Sequence, residues 1–149
     1  MALAANADYD VRPVVRVDPI AMVLLTAAVA YSGALLSHDT TTGAVKPFDG
    51  TQTDRLAGWH FGDAVTGLTT ATPAPRAKVT RGGFSIKDLT VGGLANTAAD
   101  YGAPVYATDD GTYTITDPGS GQKIGVVLAD DDRASGKAHV YFLPIGLGV

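Results

Sequence analysis

Short apolar runs, each ended after a few residues by glycine, aspartate, threonine or proline, recur along most of this 149-residue chain, which carries 18 glycines and 8 prolines. Such punctuation leaves little room for long helices and fits many short strands joined by tight turns. The expected fold is all-β: a small β-barrel or sandwich of short antiparallel strands and tight turns. Residues 112–116, TYTIT, alternate bulky and small polar side chains with the period of a half-buried strand, and Asp109, Asp110 and Gly111 supply the turn before them. Residues 123–128 and 137–143 are further β-branched or aromatic runs on either side of the polar stretch 130–136, and the three strands predict a meander. Residues 56–61 and 77–84 read as strands too, with Gly82 and Gly83 marking a bulge or a close backbone approach. Helix is scarce: Thr97 can cap one short turn through residues 98–100.

A weak internal repeat runs through this pattern. GALL at residues 33–36 parallels GAPV at 102–105, Gly43 falls opposite Gly111, and AGW at 57–59 falls opposite IGV at 124–126, with offsets of 69, 68 and 67 residues. The drift of one residue per element is what small changes of turn length produce. Two similar meanders closed against each other would explain it, and closing a sheet on itself removes exposed strand edges. Residues 1–19 stand apart as an extended N-terminal arm, because Pro13 and Pro19 remove two donors and disfavour helix before them while Val14, Val15 and Val17 favour an extended course. The expected organisation is this arm followed by a single β-barrel-like domain over residues 20–149, a length that supports one core.

Composition excludes several functions. With no cysteine, disulfides, thiolate nucleophiles and cysteine-ligated zinc are ruled out. A net charge of -4 without a basic cluster leaves no footprint for direct nucleic-acid binding. Charged residues make up 17% of the chain, against roughly 25% in ordinary soluble domains, so part of the surface is expected to be covered by partners. Residues 20–36 carry no charge. They sit at the lower length limit of a membrane helix, about 17 residues, but include Thr26, Tyr31, Ser32 and Gly33 and lack a strongly basic flank, so buried strands are the better reading. A signal peptide fits poorly because Asp8, Asp10 and Asp18 precede the apolar run.

The residues that usually carry chemistry do not assemble into a motif. Ser37, His38 and Asp39 are adjacent in sequence, whereas a catalytic triad needs three groups converging in space and strand neighbours point to opposite faces. His38, His60 and His139 lack metal-ligand spacing, and the Asp130, Asp131, Asp132 run lacks the alternation of a calcium loop, so a solvated hairpin is expected there. The glycines at 119, 121 and 125 do not form a phosphate loop, and the chain contains no glutamate. The reading is of a protein that is not an enzyme and has no cofactor, metal or catalytic residue. Trp59 and Phe61 lie on one face of a strand, where core filling is the plain explanation and an interface anchor the sharper one. The apolar stretch 143–149 is expected to dock on this subunit or a neighbour.

Taken in order, GALL at 33–36, GAVKP at 43–47, LAGW at 56–59, VTRGGF at 79–84, YGAPVYA at 101–107, DDGT at 109–112, IGVV at 124–127 and GKAHV at 136–140 resemble a family of small tailed-phage head decoration proteins. The resemblance spans roughly residues 30–143, and its strongest part is the block from YGAPVYATDDGTYT to GKAHVYF. It leaves the arm uncovered. The resemblance implies a barrel-like domain on the outer surface of a virion head, bound to the major capsid protein and clustered as homotrimers at threefold or quasi-threefold positions. No catalytic residue comes with it. On that reading the arm around Tyr9, Val11, Arg12 and Arg16 is the expected capsid-facing element, with Trp59 a further candidate contact. A head-fibre base or tail component, and a small carbohydrate- or ligand-binding β-domain with a site near Trp59, are the competing expectations.

Overall fold

The computed structural model describes residues 2–7, 9, 11–13, 19–68, 73–128 and 135–145. The described chain is almost entirely strand and turn, so the all-β expectation holds. Its thirteen described strands follow in order: β1 (Val11–Pro13), β2 (Ile20–Val23), β3 (Val29–Ala30), β4 (Leu35–His38), β5 (Val45–Pro47), β6 (Leu56–His60), β7 (Val65–Thr66), β8 (Arg76–Thr80), β9 (Phe84–Gly92), β10 (Pro104–Ala107), β11 (Tyr113–Thr114), β12 (Gly125–Val127) and β13 (Lys137–Phe142). One 3-10 turn, Ala98–Asp100, is closed by a capping box between Thr97 and Asp100, where an N-terminus signal stood in the sequence.

The strands make two five-membered rings with the same topology. In the second, β9 is followed by β11, β10, β12 and β13, and β13 returns to β9. In the first, β2, β8, β6, β4 and β5 pair in that order, and a parallel bridge from Leu24 to Val45 completes the circuit. The bridge is the counterpart of the parallel pairing between Val91 and Tyr113 in the second ring. Registers correspond as well. Ser37 faces Lys46 as Tyr106 faces Thr114, Leu36 faces Gly58 as Val105 faces Gly125, and Met22 faces Ala77 as Leu89 faces Ala138. The turn glycines are tied alike: Gly33 N–H donates to His60 O at 2.7 Å and Gly102 N–H to Val127 O at 2.8 Å. The weak repeat in the sequence is thus a duplicated barrel topology, while β3 and β7 form a separate ribbon within the first half.

Two expectations are corrected. The predicted meander is interrupted, because β10 lies between β11 and β12 and only β12 and β13 are adjacent. Local alternation shows that a segment is a strand but not which strand it pairs with. The predicted strand over residues 77–84 is two strands, β8 and β9, parted at Gly82 and Gly83. A Cβ on Gly82 would collide with the carbonyl oxygen of Leu143, so this is the close approach the glycine pair signalled.

Each ring has its own interior, and the second ring's core extends into the first. Leu24, Ala30, Ala34, Leu36, Val45, Ala57, Ala77 and Val79 fill the first ring, mostly with small side chains. A larger cluster fills the second with Ile86, Val91, Val105, Tyr113, Val140 and Phe142 and takes in Leu35, Phe48, Leu56 and Trp59 from the first. Strand β6 is buried at all five positions because it faces the first ring's interior on one side and the second ring on the other. A bulge makes this possible. Leu36 faces Gly58 and Ser37 faces Leu56, so Ala57 is the extra residue. It turns into the first ring, and Trp59, which strict alternation would place beside it, turns into the second.

Candidate functional site

The arm lies on its own subunit wherever it is described. Strand β1 adds antiparallel to the N-terminal half of β9, with Val11 opposite Ile86 and Pro13 opposite Phe84. Ahead of it, Leu3 N–H donates to Asp110 Oδ1 at 3.0 Å. Ser32 N–H donates to Asn6 Oδ1 at 2.8 Å, and Ala7 N–H donates to Ser32 O at 2.7 Å. The Tyr9 ring sits over Gly33, where a Cβ would come within 2.6 Å of it. The arm therefore sutures the rings, touching Asp110 of the second and Ser32 and Gly33 of the first. Burial, reinforced by the Asp110 and Asp109 carboxylates, raises the Tyr9 pKa above its ordinary value.

Of the predicted contact residues, Tyr9 and Val11 are partly buried against the larger core. The Arg12 backbone pairs with Ser85, and Arg16 lies outside the described residues, as do Asp130, Asp131 and Asp132. Trp59 corrects the interface expectation. Its side chain has no exposed surface, its Nε1–H donates to Tyr113 Oη at 3.1 Å, and it packs edge-on against Phe84 at 5.1 Å. The bulge that aims it inward leaves nothing for a partner or a sugar to stack upon. Burial also pushes the Tyr113 hydroxyl far above the ordinary tyrosine range, so it remains a neutral acceptor for that indole.

The polar residues singled out in the sequence serve local structure. Buried Ser37 donates to Asp54 Oδ2 at 3.3 Å, and Asp39 instead caps the following turn through Thr41 and Thr42. His60 accepts from Lys78 N–H at 3.1 Å through Nδ1 and, as the Nε2–H tautomer, donates to Asp63 O at 2.9 Å. No group of three potential metal-ligating side chains occurs among the described residues, and no described helix is long and apolar enough to cross a membrane.

Lys46 bridges Asp49 at 2.8 Å and Asp54 at 3.3 Å. The hydrogen bond from Lys46, followed by those from Thr51, lowers the Asp49 pKa to about 2. A depressed folded-state pKa means a stabilising contribution that is complete above the ordinary 3.8 and is lost as pH falls through about 2. A carboxyl-detected NMR titration should place the Asp49 midpoint near 2, and Lys46→Met should move it back up toward 3.8. A midpoint unmoved by that substitution would remove Lys46 as the cause.

The two rings carry equivalent clefts. Each lies where the first strand of the ring parts from the hairpin that closes it. In the first ring the cleft holds about 430 Å³ and is lined by Met22, Val23, His38, Thr42, Gly43 and Ala44. In the second it holds about 460 Å³, with Tyr9, Lys87, Asp88, Thr90, Gly111 and Lys137 on its walls. Val23 corresponds to Thr90, since they face Arg76 and Lys137 in matching registers, and Gly43 corresponds to Gly111 in the repeat. The chemistry of the clefts differs: the second is charged and the first has an apolar floor. The first also opens beside β2, which carries two of the exposed large apolar residues, Ile20 at 45% and Val23 at 39%. This corrects the expectation of buried strands throughout residues 20–36. Leu24, Ala30, Ala34, Leu35 and Leu36 are buried, but β2 stands at the ring's opening. The sequence carries the signal as an uncharged run, without showing which part of it is covered.

Comparison with protein-family models, with curated proteins and with solved structures found no match to this chain. What the fold and its surface define is a class: a compact, duplicated β-barrel body with an uncharged, partly open strand.

Proposed function

We propose that this protein is a decoration protein of a virus head, bound to the outer surface of an assembled shell of major capsid protein and stabilising it, as trimers at threefold or quasi-threefold positions. The observation that carries the reading is the exposed apolar strand β2, with Ile20 and Val23 uncovered on a body built of two closed rings. Such a strand is a docking surface, because an uncharged open edge invites pairing. The ordered resemblance over residues 30–143 supplies the biological setting. A carbohydrate-binding reading loses its main support, since Trp59 is enclosed.

The physical role follows from linkage. A protein that binds only the assembled shell favours that state by about 2.7 kcal/mol per site at a free concentration 100 times Kd. A trimer touching several shell subunits binds multivalently, so later contacts form at high effective concentration. Gradient sedimentation of material from the native source, with mass spectrometry of this chain against the shell protein in every fraction, tests the proposal. Co-migration with heads in near-stoichiometric amount is the expected result. A few copies per particle would favour a head-fibre or tail role, and recovery only in the soluble fractions would overturn the virion assignment.

A further inference from the structure

The two rings differ at the seam between first strand and closing hairpin. In the second ring, β9 carries β13 along one edge, while its other edge takes β1 at Phe84 to Ile86 and β11 at Val91 and Gly92. The arm thus enters the seam, and Tyr9 walls the cleft between those two pairings. In the first ring, β2 carries β8 along one edge, and the other edge meets no described strand before the Leu24 to Val45 bridge. Leu24 N–H donates to Pro75 O and Leu25 N–H to Val45 O. Successive amides in a strand point to opposite edges, so the Val23 and Ala21 amides point with that of Leu25, into the open seam.

We propose that the first ring's seam binds one extended, uncharged peptide strand of a partner protein, which adds to β2 at Ala21 and Val23, along the edge that meets no described strand. Three features specify the occupant. Main-chain groups of Ala21 and Val23 offer ladder bonds, the mode of strand addition. The floor of Met22 and Val23 is apolar, and the run 20–36 carries no charge, so an apolar or hydroxyl-bearing strand matches it and a charged one does not. The Thr42 to Ala44 turn bounds the cleft on its far side, so a strand entering it lies between β2 and that turn. That geometry disfavours pairing of β2 with β2 of a second copy, since each β2 brings β8 along its other edge. Naming the shell protein as the source of the strand rests on the proposed function; the binding mode does not.

The test uses the full-length protein and a capped, alternating threonine-valine heptapeptide, followed by amide NMR. The expected result is saturable shifts at Ala21, Val23 and Gly43, with slowed exchange of the Ala21 and Val23 amides. Val23→Pro removes an outward-facing donor without touching the β8 ladder, so it should weaken the peptide by about tenfold or more. If that variant does not fold, Val23→Lys, which places a charge at the edge, should do the same. Shifts absent from the seam at millimolar peptide, or unaffected by either variant, would overturn the proposal. So would concentration-dependent self-association that perturbs the same residues, which would assign the seam to a second copy. Binding of each variant to purified heads separates the two readings: peptide binding with no head binding by the wild type leaves the seam standing and removes the decoration role, whereas head binding unchanged by Val23→Pro removes the seam from that role.

Discussion

Replacing Trp59 with alanine should destabilise the protein by about 3–5 kcal/mol, the usual cost of removing a large aromatic from a closed core. The reason is its position between the rings. Its ring stands perpendicular to that of Phe84 and is tilted against Phe142 at 4.8 Å. Truncation would open a cavity bordered by both halves of the molecule and strip Tyr113 Oη of its buried donor. Trp59→Phe keeps an aromatic ring in the core but gives up part of the indole's volume and the hydrogen bond to Tyr113, so it should cost less than the alanine change, about 1–3 kcal/mol. Guanidinium denaturation followed by far-UV circular dichroism reads both variants without depending on indole fluorescence. A loss below about 1 kcal/mol for the alanine variant would show that the rings are not held together through this residue.

Gly58→Ala is expected to rival it, at about 3 kcal/mol or more, because two costs coincide. The backbone of Gly58 has φ 139°, and a Cβ there would collide with Thr80 O, on the neighbouring strand β8. Relief would require moving β6 away from β8 and loosening the bulge that aims Trp59. Gly125 occupies the same place in the second ring, with a Cβ position 2.7 Å from Tyr141 O, and Gly125→Ala should also be costly. Gly102 is the control: its φ is 78°, but no neighbouring atom lies within 4 Å of the place its Cβ would take, so Gly102→Ala should lose only about 1–2 kcal/mol from the left-handed backbone. Equal losses at Gly58 and Gly102 would mean that backbone conformation alone, and not strand approach, fixes the glycine.

The strands were readable where one face is buried and the other is wet. Residues Lys137–Phe142 alternate in burial along the whole strand, with Ala138, Val140 and Phe142 inside, and period two is visible in the letters themselves. The cap at Thr97 was likewise legible, and the Gly82 and Gly83 pair signalled a bulge or a close approach, of which the structure shows the second. Pairing was not. The pairing of β10 with β12, and the parallel closures at Leu24 and Val91, each skip an intervening strand, and no local pattern encodes such a partner. Trp59 shows the same limit at the candidate site: an aromatic on a strand is equally at home in a core or an interface until the neighbouring sheet is known.

By itself, the sequence determined that this chain is β, rich in turns, poor in charge, and internally repeated at offsets of 67 to 69 residues. Those properties follow from side-chain size, polarity and backbone freedom, which act residue by residue. Only the tertiary structure decided that the repeat is two rings, the core of the second extending into the first, that the described arm is spent on the molecule's own two rings, and that one edge of β2 has no described strand against it ahead of the Leu24 to Val45 bridge. The physical reason is that burial belongs to pairs of surfaces: the same uncharged run places Leu24 inside a ring and leaves Val23, one residue earlier, facing out of it.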